Sequence, residues 1–245
     1  MILGYYGYYS YFDPTYVLVV IGAVICLLAS AGVKLTYGKY EKVRSRSGKT
    51  GAQVAEEVLY RAGVRDVSVE RTSGHLTDHY NPKNKTLYLS DTVYGSTSVA
   101  AIGVACHEAG HAIQHNQEYF PLVFRNALVP VANFGSIASW PLIIIGIFFN
   151  GLTVQSGMGY MLLQLGIIMF SLSVLFQLVT LPVEFNASTR AIHMIEAGGY
   201  TSEEELRGTK KVLRAAALTY VASAAAAILQ LLRLLILFGG SRRDD

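Results

Sequence analysis

Between Arg125 and Glu184 the chain has no Asp, Glu, Lys, Arg or His. A helical segment of that length, lacking charge, has no face to present to water, whereas the hydrocarbon of a bilayer requires none. About 20 apolar residues suffice for a helix to cross. The stretch therefore predicts two spans, near 127–149 and 158–181, joined by a polar turn at 150–157 that contains Asn150, Gly151, Gln155, Ser156 and Gly157. Pro14 to Val33 is a further uncharged run of spanning length. The segment 215–238 is a fourth apolar run; Arg233 interrupts it, which leaves open whether it spans fully or lies at the interface. With 52% hydrophobic and 15% charged residues, the composition departs from that of soluble domains in the same direction.

Charge distribution orients these spans. Lys34, Lys39, Lys42, Arg44, Arg46 and Lys49 open a basic segment that reaches Arg125, and Arg190, Arg207, Lys210, Lys211 and Arg214 follow the hairpin, while 150–157 has no cation. Cations accumulate on the cytoplasmic side of a membrane protein. Both basic segments are accordingly placed in the cytoplasm. Ala29-Ser30-Ala31 resembles a signal-peptidase site, but the positive charges follow the apolar run instead of preceding it, so the first span is read as an uncleaved anchor. The Tyr-rich start, Tyr5 to Tyr16, suits an interfacial aromatic belt. The Lys34 to Lys49 run is an orientation and lipid-headgroup signal and implies no nucleic-acid partner. The expected organisation is an extracytoplasmic start (1–13), a first transmembrane helix (14–35), a cytoplasmic domain (36–126), a hairpin (127–183), a cytoplasmic helix (184–214), a fourth transmembrane or interfacial helix (215–238) and a tail (239–245). The fold class is mainly α, a helical transmembrane bundle with a cytoplasmic α+β domain that contains a short β-sheet.

Inside the soluble segment, Thr50 and Gln53 form a capping-box start for a helix that runs to about Ala62, where Gly63 can end it. Val67 to Arg71 and Lys85 to Leu89 alternate like strands, with Asn81 to Asn84 as the turn before the second. The strand at 85–89 is a candidate edge against which a substrate backbone could be held, or a purely structural strand.

A helix follows, running from Ser98 through Ile113 without proline, and it contains His107-Glu108-Ala109-Gly110-His111. Four residues turn through about 400°, so the two imidazoles stack on one helix face and can share one zinc ion, with a carboxylate beside them. Zinc takes neutral imidazole nitrogens, leaves a position for water and lowers that water's pKa to about 7. A third ligand is required. His115 lies about 12 Å along the helix axis from His107, too far for bonds of about 2 Å. Gln114 and Gln117 occupy the positions where a metzincin needs Gly and His. Glu184 is the favoured candidate: it is the first charge after the long apolar run, where a carboxylate is costly unless it has a partner. The alternative is an interfacial Glu that caps a helix starting near Pro182. Arg190 and His193 are candidates for stabilising an oxyanion. His75, Asp78 and His79 either contact substrate or support the site, or simply form a hydrogen-bonded turn. Cys26 and Cys106 suggest neither a disulfide framework nor a zinc site.

Taken together, His75 to Tyr80, the second strand, Ser98 to His115, Leu128 to Asn133 and Leu181 to Ser188 resemble the bacterial neutral zinc metallopeptidases of the YugP type over nearly the whole chain. The resemblance implies His107 and His111 as zinc ligands and Glu108 as catalytic base. It also implies kinship with membrane gluzincins, whose third ligand is a Glu on a later helix, here Glu184. Those relatives have an Asp four residues after that Glu; Ser188 stands in its place, and Asn186 is a possible substitute. The expected function is zinc-dependent peptide hydrolysis by a zincin-like catalytic domain (36–126), with one Zn2+ per chain, acting on membrane-associated proteins or peptides at the cytoplasmic side of the bacterial inner (plasma) membrane. A zinc-stabilised, non-proteolytic membrane adaptor is the alternative. A transporter fits less well, because the hairpin spans offer no ionisable group for coupling.

Overall fold

The computed structural model describes residues 13–149 and 157–239. The tyrosine-rich start, most of the 150–157 turn and the final tail lie outside the described residues. The chain is mainly helical: α1 (Tyr16–Tyr40), α2 (Gly51–Arg61), β1 (Ser68–Thr72), β2 (His79–Asn81), β3 (Thr86–Ser90), α3 (Asp91–Tyr94), α4 (Val99–Asn116), α5 (Phe120–Phe148), α6 (Met158–Gly198) and α7 (Glu203–Phe238). Four of them, α1, α5, α6 and α7, are long and apolar enough to cross a membrane. The chain divides into two compact units, one comprising Ala29–Asn126 and Val179–Val221, the other the remaining segments.

The first unit is built around α4. Ser98 caps its start by accepting from the N–H of Ala101 (3.1 Å). The face of α4 bearing Ala101, Ile102, Ala105, Ala109 and Ala112 is buried against Val54, Ala55 and Val58 of α2, Leu87 and Leu89 of β3, and Ala191 and Ile195 of α6. Small residues allow close approach: a methyl group on Gly110 would lie 2.9 Å from the carbonyl oxygen of Ala187 on α6. The capping box predicted for α2 is complete, with Thr50 and Gln53 each bonded to the other's backbone N–H.

The sheet order is β1-β3-β2, with β3 parallel to β1 and antiparallel to β2. The strand expected to offer an edge therefore occupies the centre, its ladder taken on both sides. The two edges belong to β1 and to β2, the latter three residues within a segment the sequence presents as a polar turn. So short a strand is below the length at which alternation is detectable; its pairing with β3 across the 82–85 turn is what defines it.

A cytoplasmic helix over 184–214 is not observed as one element. Glu184 lies on α6, which runs through Pro182 without a break and ends at Gly198. Proline removes only its own N–H from the ladder, a loss that long apolar helices tolerate when their neighbours support them. The break comes instead at Gly199, whose φ of +63° suits glycine. Ser202 and Glu205 then cap α7 reciprocally, and Glu203, Glu204 and Glu205 fill its first turn, where the helix dipole favours negative charge.

In the second unit α5 and α6 approach closely at small residues: a methyl group on Gly146 would lie 2.7 Å from the carbonyl oxygen of Gly159, and one on Gly166 2.9 Å from that of Ser139. Ile143, Leu163, Ile167 and Leu234 pack together there. The charge that interrupts the last apolar run is accommodated. Arg233 donates to Asp13 (3.0 Å) and its guanidinium lies 4.1 Å from the centre of the Tyr16 ring.

Candidate metal centre

His107 and His111 stand one turn apart on α4, their ring centres 4.8 Å apart. Their Nε2 atoms face the same oxygen of Glu184, at 3.3 Å and 3.5 Å. All three side chains are shielded, the carboxylate at only 5% exposure. Charge-assisted hydrogen bonds of this type close to about 2.7–2.9 Å. Ligands bonded to one tetrahedral zinc at about 2.0–2.2 Å lie roughly 3.3–3.5 Å from each other. The two imidazole–carboxylate distances have the second value, the three ligand atoms all lie within 4.8 Å of one another, and among the described residues this is the group of three His, Cys, Asp or Glu side chains close enough to share a metal ion.

Each imidazole is also held from behind. His107 Nδ1 lies 3.2 Å from Ser188 Oγ, and His111 Nδ1–H donates to Gln114 Oε1 (2.9 Å). A proton on Nδ1 leaves the Nε2 lone pair free for a metal, which is how supporting hydrogen bonds select the ligating tautomer. Gln114 is itself fully buried and anchored, donating to the carbonyl of Val183 and to Asn186 Oδ1, both at 2.9 Å. Ser188 thus stands behind His107, and Asn186 reaches His111 only through Gln114. Nothing in the spacing singles out Gln114; its place three residues after His111, on the buried face of α4, is the one signal the sequence contains.

Electrostatics agree with the donor set. Burial alone would lower the pKa of His111, yet the carboxylates of Glu184 and Glu108 outweigh it and raise it. A site that favours added positive charge in this way suits a divalent cation. Burial pushes the thiol of Cys106 up, so this neighbour of His107 stays protonated and inert.

A cavity of about 170 Å3 opens onto this group, lined by Glu108, His111 and Glu184 together with Asp78, His79, Tyr80, Arg125, Asn126 and Tyr220. Glu108 Oε2 accepts the backbone N–H of Tyr80 (3.1 Å), so the free edge of β2 faces the carboxylate. The Tyr80 hydroxyl reaches His115 Nδ1 (2.8 Å), tying the strand to the end of α4. Asp78 accepts from the N–H (2.8 Å) and hydroxyl (2.9 Å) of Ser90; burial nevertheless raises its pKa. His79 stacks on Tyr88, and His75 turns away to Glu41 (3.9 Å) and the edge of Tyr37.

Neither expected oxyanion donor lines the cavity. Arg190 is committed to Asn186 (2.7 Å) and Gln117 (2.7 Å), and His193 is exposed on the α6 surface. A helix places successive side chains about 100° apart, so following Glu184 by six or nine residues does not ensure sharing its face. Tyr220, Arg125 and Asn126 occupy the wall instead.

The family model described as "Putative neutral zinc metallopeptidase" matches residues 15–239. The chain belongs to this zinc metallopeptidase family. A relative named "Putative membrane protease YugP", from Bacillus subtilis (strain 168), is 45% identical over 213 residues, covering 87% of this chain and 91% of that one. No solved structure matches. For a member of a zinc peptidase family, the two imidazoles and the carboxylate are a chemically suitable donor set for the metal: nitrogen and oxygen ligands, three in number, beside a cavity.

Proposed function

We propose that this chain is a zinc-dependent endopeptidase that cleaves membrane-associated proteins or peptides at the cytoplasmic face of the bacterial inner membrane. His107, His111 and Glu184 hold one zinc ion, and Glu108 is the general base. The observation that carries the reading is the convergence of both Nε2 atoms on one buried carboxylate oxygen, with the supporting hydrogen bonds made through Nδ1.

A bound zinc ion supplies a Lewis acid that acidifies water to a pKa of about 7 and polarises the scissile carbonyl. Glu108 takes the proton of the attacking water and passes it to the leaving amine. Its hydrogen bond from the Tyr80 N–H holds the carboxylate towards the cavity. The substrate backbone lies in the cavity beside β2. The Tyr220 hydroxyl, in the same cavity wall, donates to the developing oxyanion. Two features favour turnover over a purely structural metal: among the described residues the donor group has three members, where structural zinc takes four, and Glu108 lines the cavity beside it. The cytoplasmic assignment is supported by the basic residues on both sides of the hairpin.

In proteoliposomes containing a membrane-anchored reporter peptide, Glu108→Gln abolishes cleavage while leaving zinc content at one per chain. Cleavage by this variant at the wild-type rate refutes the assignment.

A further inference from the structure

We propose that a groove between α1 and α7 is a specific binding site for a net-anionic diacyl phospholipid. The groove has a volume of about 450 Å3 and is lined by Leu35 and Leu218, by Tyr40, and by the cations Lys39, Lys211 and Arg214. Leu35 is 76% exposed and Leu218 52%, so apolar surface lies open beside three charges. Hydrocarbon satisfies the first and phosphate the second.

Among the described residues, no carboxylate forms an ion pair with these cations. The acidic residues nearest in sequence are engaged elsewhere: Glu41 faces His75, and Glu205 accepts the backbone N–H of Arg46 (3.0 Å) and of Ser202 (2.8 Å). Lys39 Nζ has the ring of Tyr40 at 5.6 Å. On α1 the cation follows the apolar run, and on α7 Lys211 and Arg214 precede the apolar run that starts at Ala215. Both helices therefore bring positive charge to the boundary of an apolar segment, the depth at which phospholipid phosphates lie. A zwitterionic headgroup brings a cation of its own into a cluster of three. A net-anionic headgroup does not, and basic pockets between membrane helices select such lipids. This site rests on the membrane character of the chain and is independent of the peptidase reading.

The test is native mass spectrometry of the full, delipidated protein in detergent, titrated with phosphatidylglycerol, phosphatidylcholine or inorganic phosphate. Phosphatidylglycerol is expected to bind at least about tenfold more tightly than phosphatidylcholine. Each cation near a membrane surface contributes roughly a factor of five, so the triple variant Lys39→Gln/Lys211→Gln/Arg214→Gln weakens binding by about a hundredfold. A charge-matched control, Arg46→Gln/Arg65→Gln/Lys83→Gln, leaves it unchanged. All six side chains are exposed, so neither variant disturbs the core. Leu35→Gln/Leu218→Gln keeps the charges and weakens lipid binding, which identifies the acyl chains as part of the ligand. Equal affinity for the two lipids, equal loss in the control, or inorganic phosphate binding as tightly as phosphatidylglycerol overturns the proposal.

Discussion

Gln114 offers the sharpest test of the proposed metal centre, because one buried amide supports both a proposed ligand and the contact between two helices. It accepts from His111 Nδ1–H and donates to the Val183 carbonyl and to Asn186. Gln114→Met keeps the volume and removes all three bonds. Losing the support behind a ligating histidine costs about 10- to 100-fold in metal affinity, or about 1.4–2.7 kcal/mol. Leaving buried polar partners unsatisfied costs a further ~1–3 kcal/mol each in stability, and because these partners share one network the total is below their sum. Gln114→Glu separates the two effects. A carboxylate behind His111 accepts its proton at least as well as the amide, so zinc affinity is kept or increased. The same carboxylate faces two acceptors, the Val183 carbonyl and Asn186 Oδ1, and stability falls by several kcal/mol. Zinc affinity is read by competition with a chromophoric chelator, and stability by thermal unfolding of the metal-free protein in detergent. If both variants bind zinc within about threefold of wild type, Gln114 does not orient a ligand and the geometric reasoning fails.

Other predictions follow from the same contacts. Ser188→Ala removes the group behind His107 and lowers zinc affinity by about tenfold or more, measured in the same chelator competition; Ser188→Asp restores it. Gly110→Ala places a methyl group 2.9 Å from the Ala187 carbonyl, pushes α4 from α6 and lowers stability by about 1–3 kcal/mol in thermal unfolding, with zinc affinity falling in parallel. Asp13→Leu leaves Arg233 without its carboxylate and lowers the melting temperature, whereas adding Arg233→Leu restores it; additive losses would show that the pair is uncoupled. Asp78, its pKa raised by burial, binds its proton more tightly in the folded chain than in the unfolded one. Its contribution to stability is thus present below the ordinary carboxylate value near 3.8 and is lost as pH rises through the folded value, so Asp78→Asn gains stability relative to wild type across that window, measured by unfolding against pH.

The features legible in the sequence are those set by short-range chemistry. Two histidines four residues apart on a helix must share a face, and a run without charge from 126 to 183 cannot face water. Glu184 was legible for a related reason: a carboxylate at the end of an apolar segment needs a partner. Pro182 marks no helix start, because the preference of proline for the first turn is a tendency and α6 runs through it. β2 is not legible because three residues carry no periodicity, and the central position of β3 is a property of pairing with two segments that both precede it in the sequence. Arg190 and His193 were drawn in by nearness along the chain, yet helical rotation turns them from the cavity, while Tyr220, far along the chain, lies in its wall.

By itself the sequence determined the kind of solvent each segment requires, the pair of imidazoles on one helix face and the carboxylate in need of a partner, since these depend on composition and on spacing along the chain. The tertiary structure alone decided which strand edge faces Glu108, which side chains stand behind the imidazoles and which hydroxyl meets the cavity. Those choices depend on distances between residues far apart in the chain, and such distances exist only once the elements have packed.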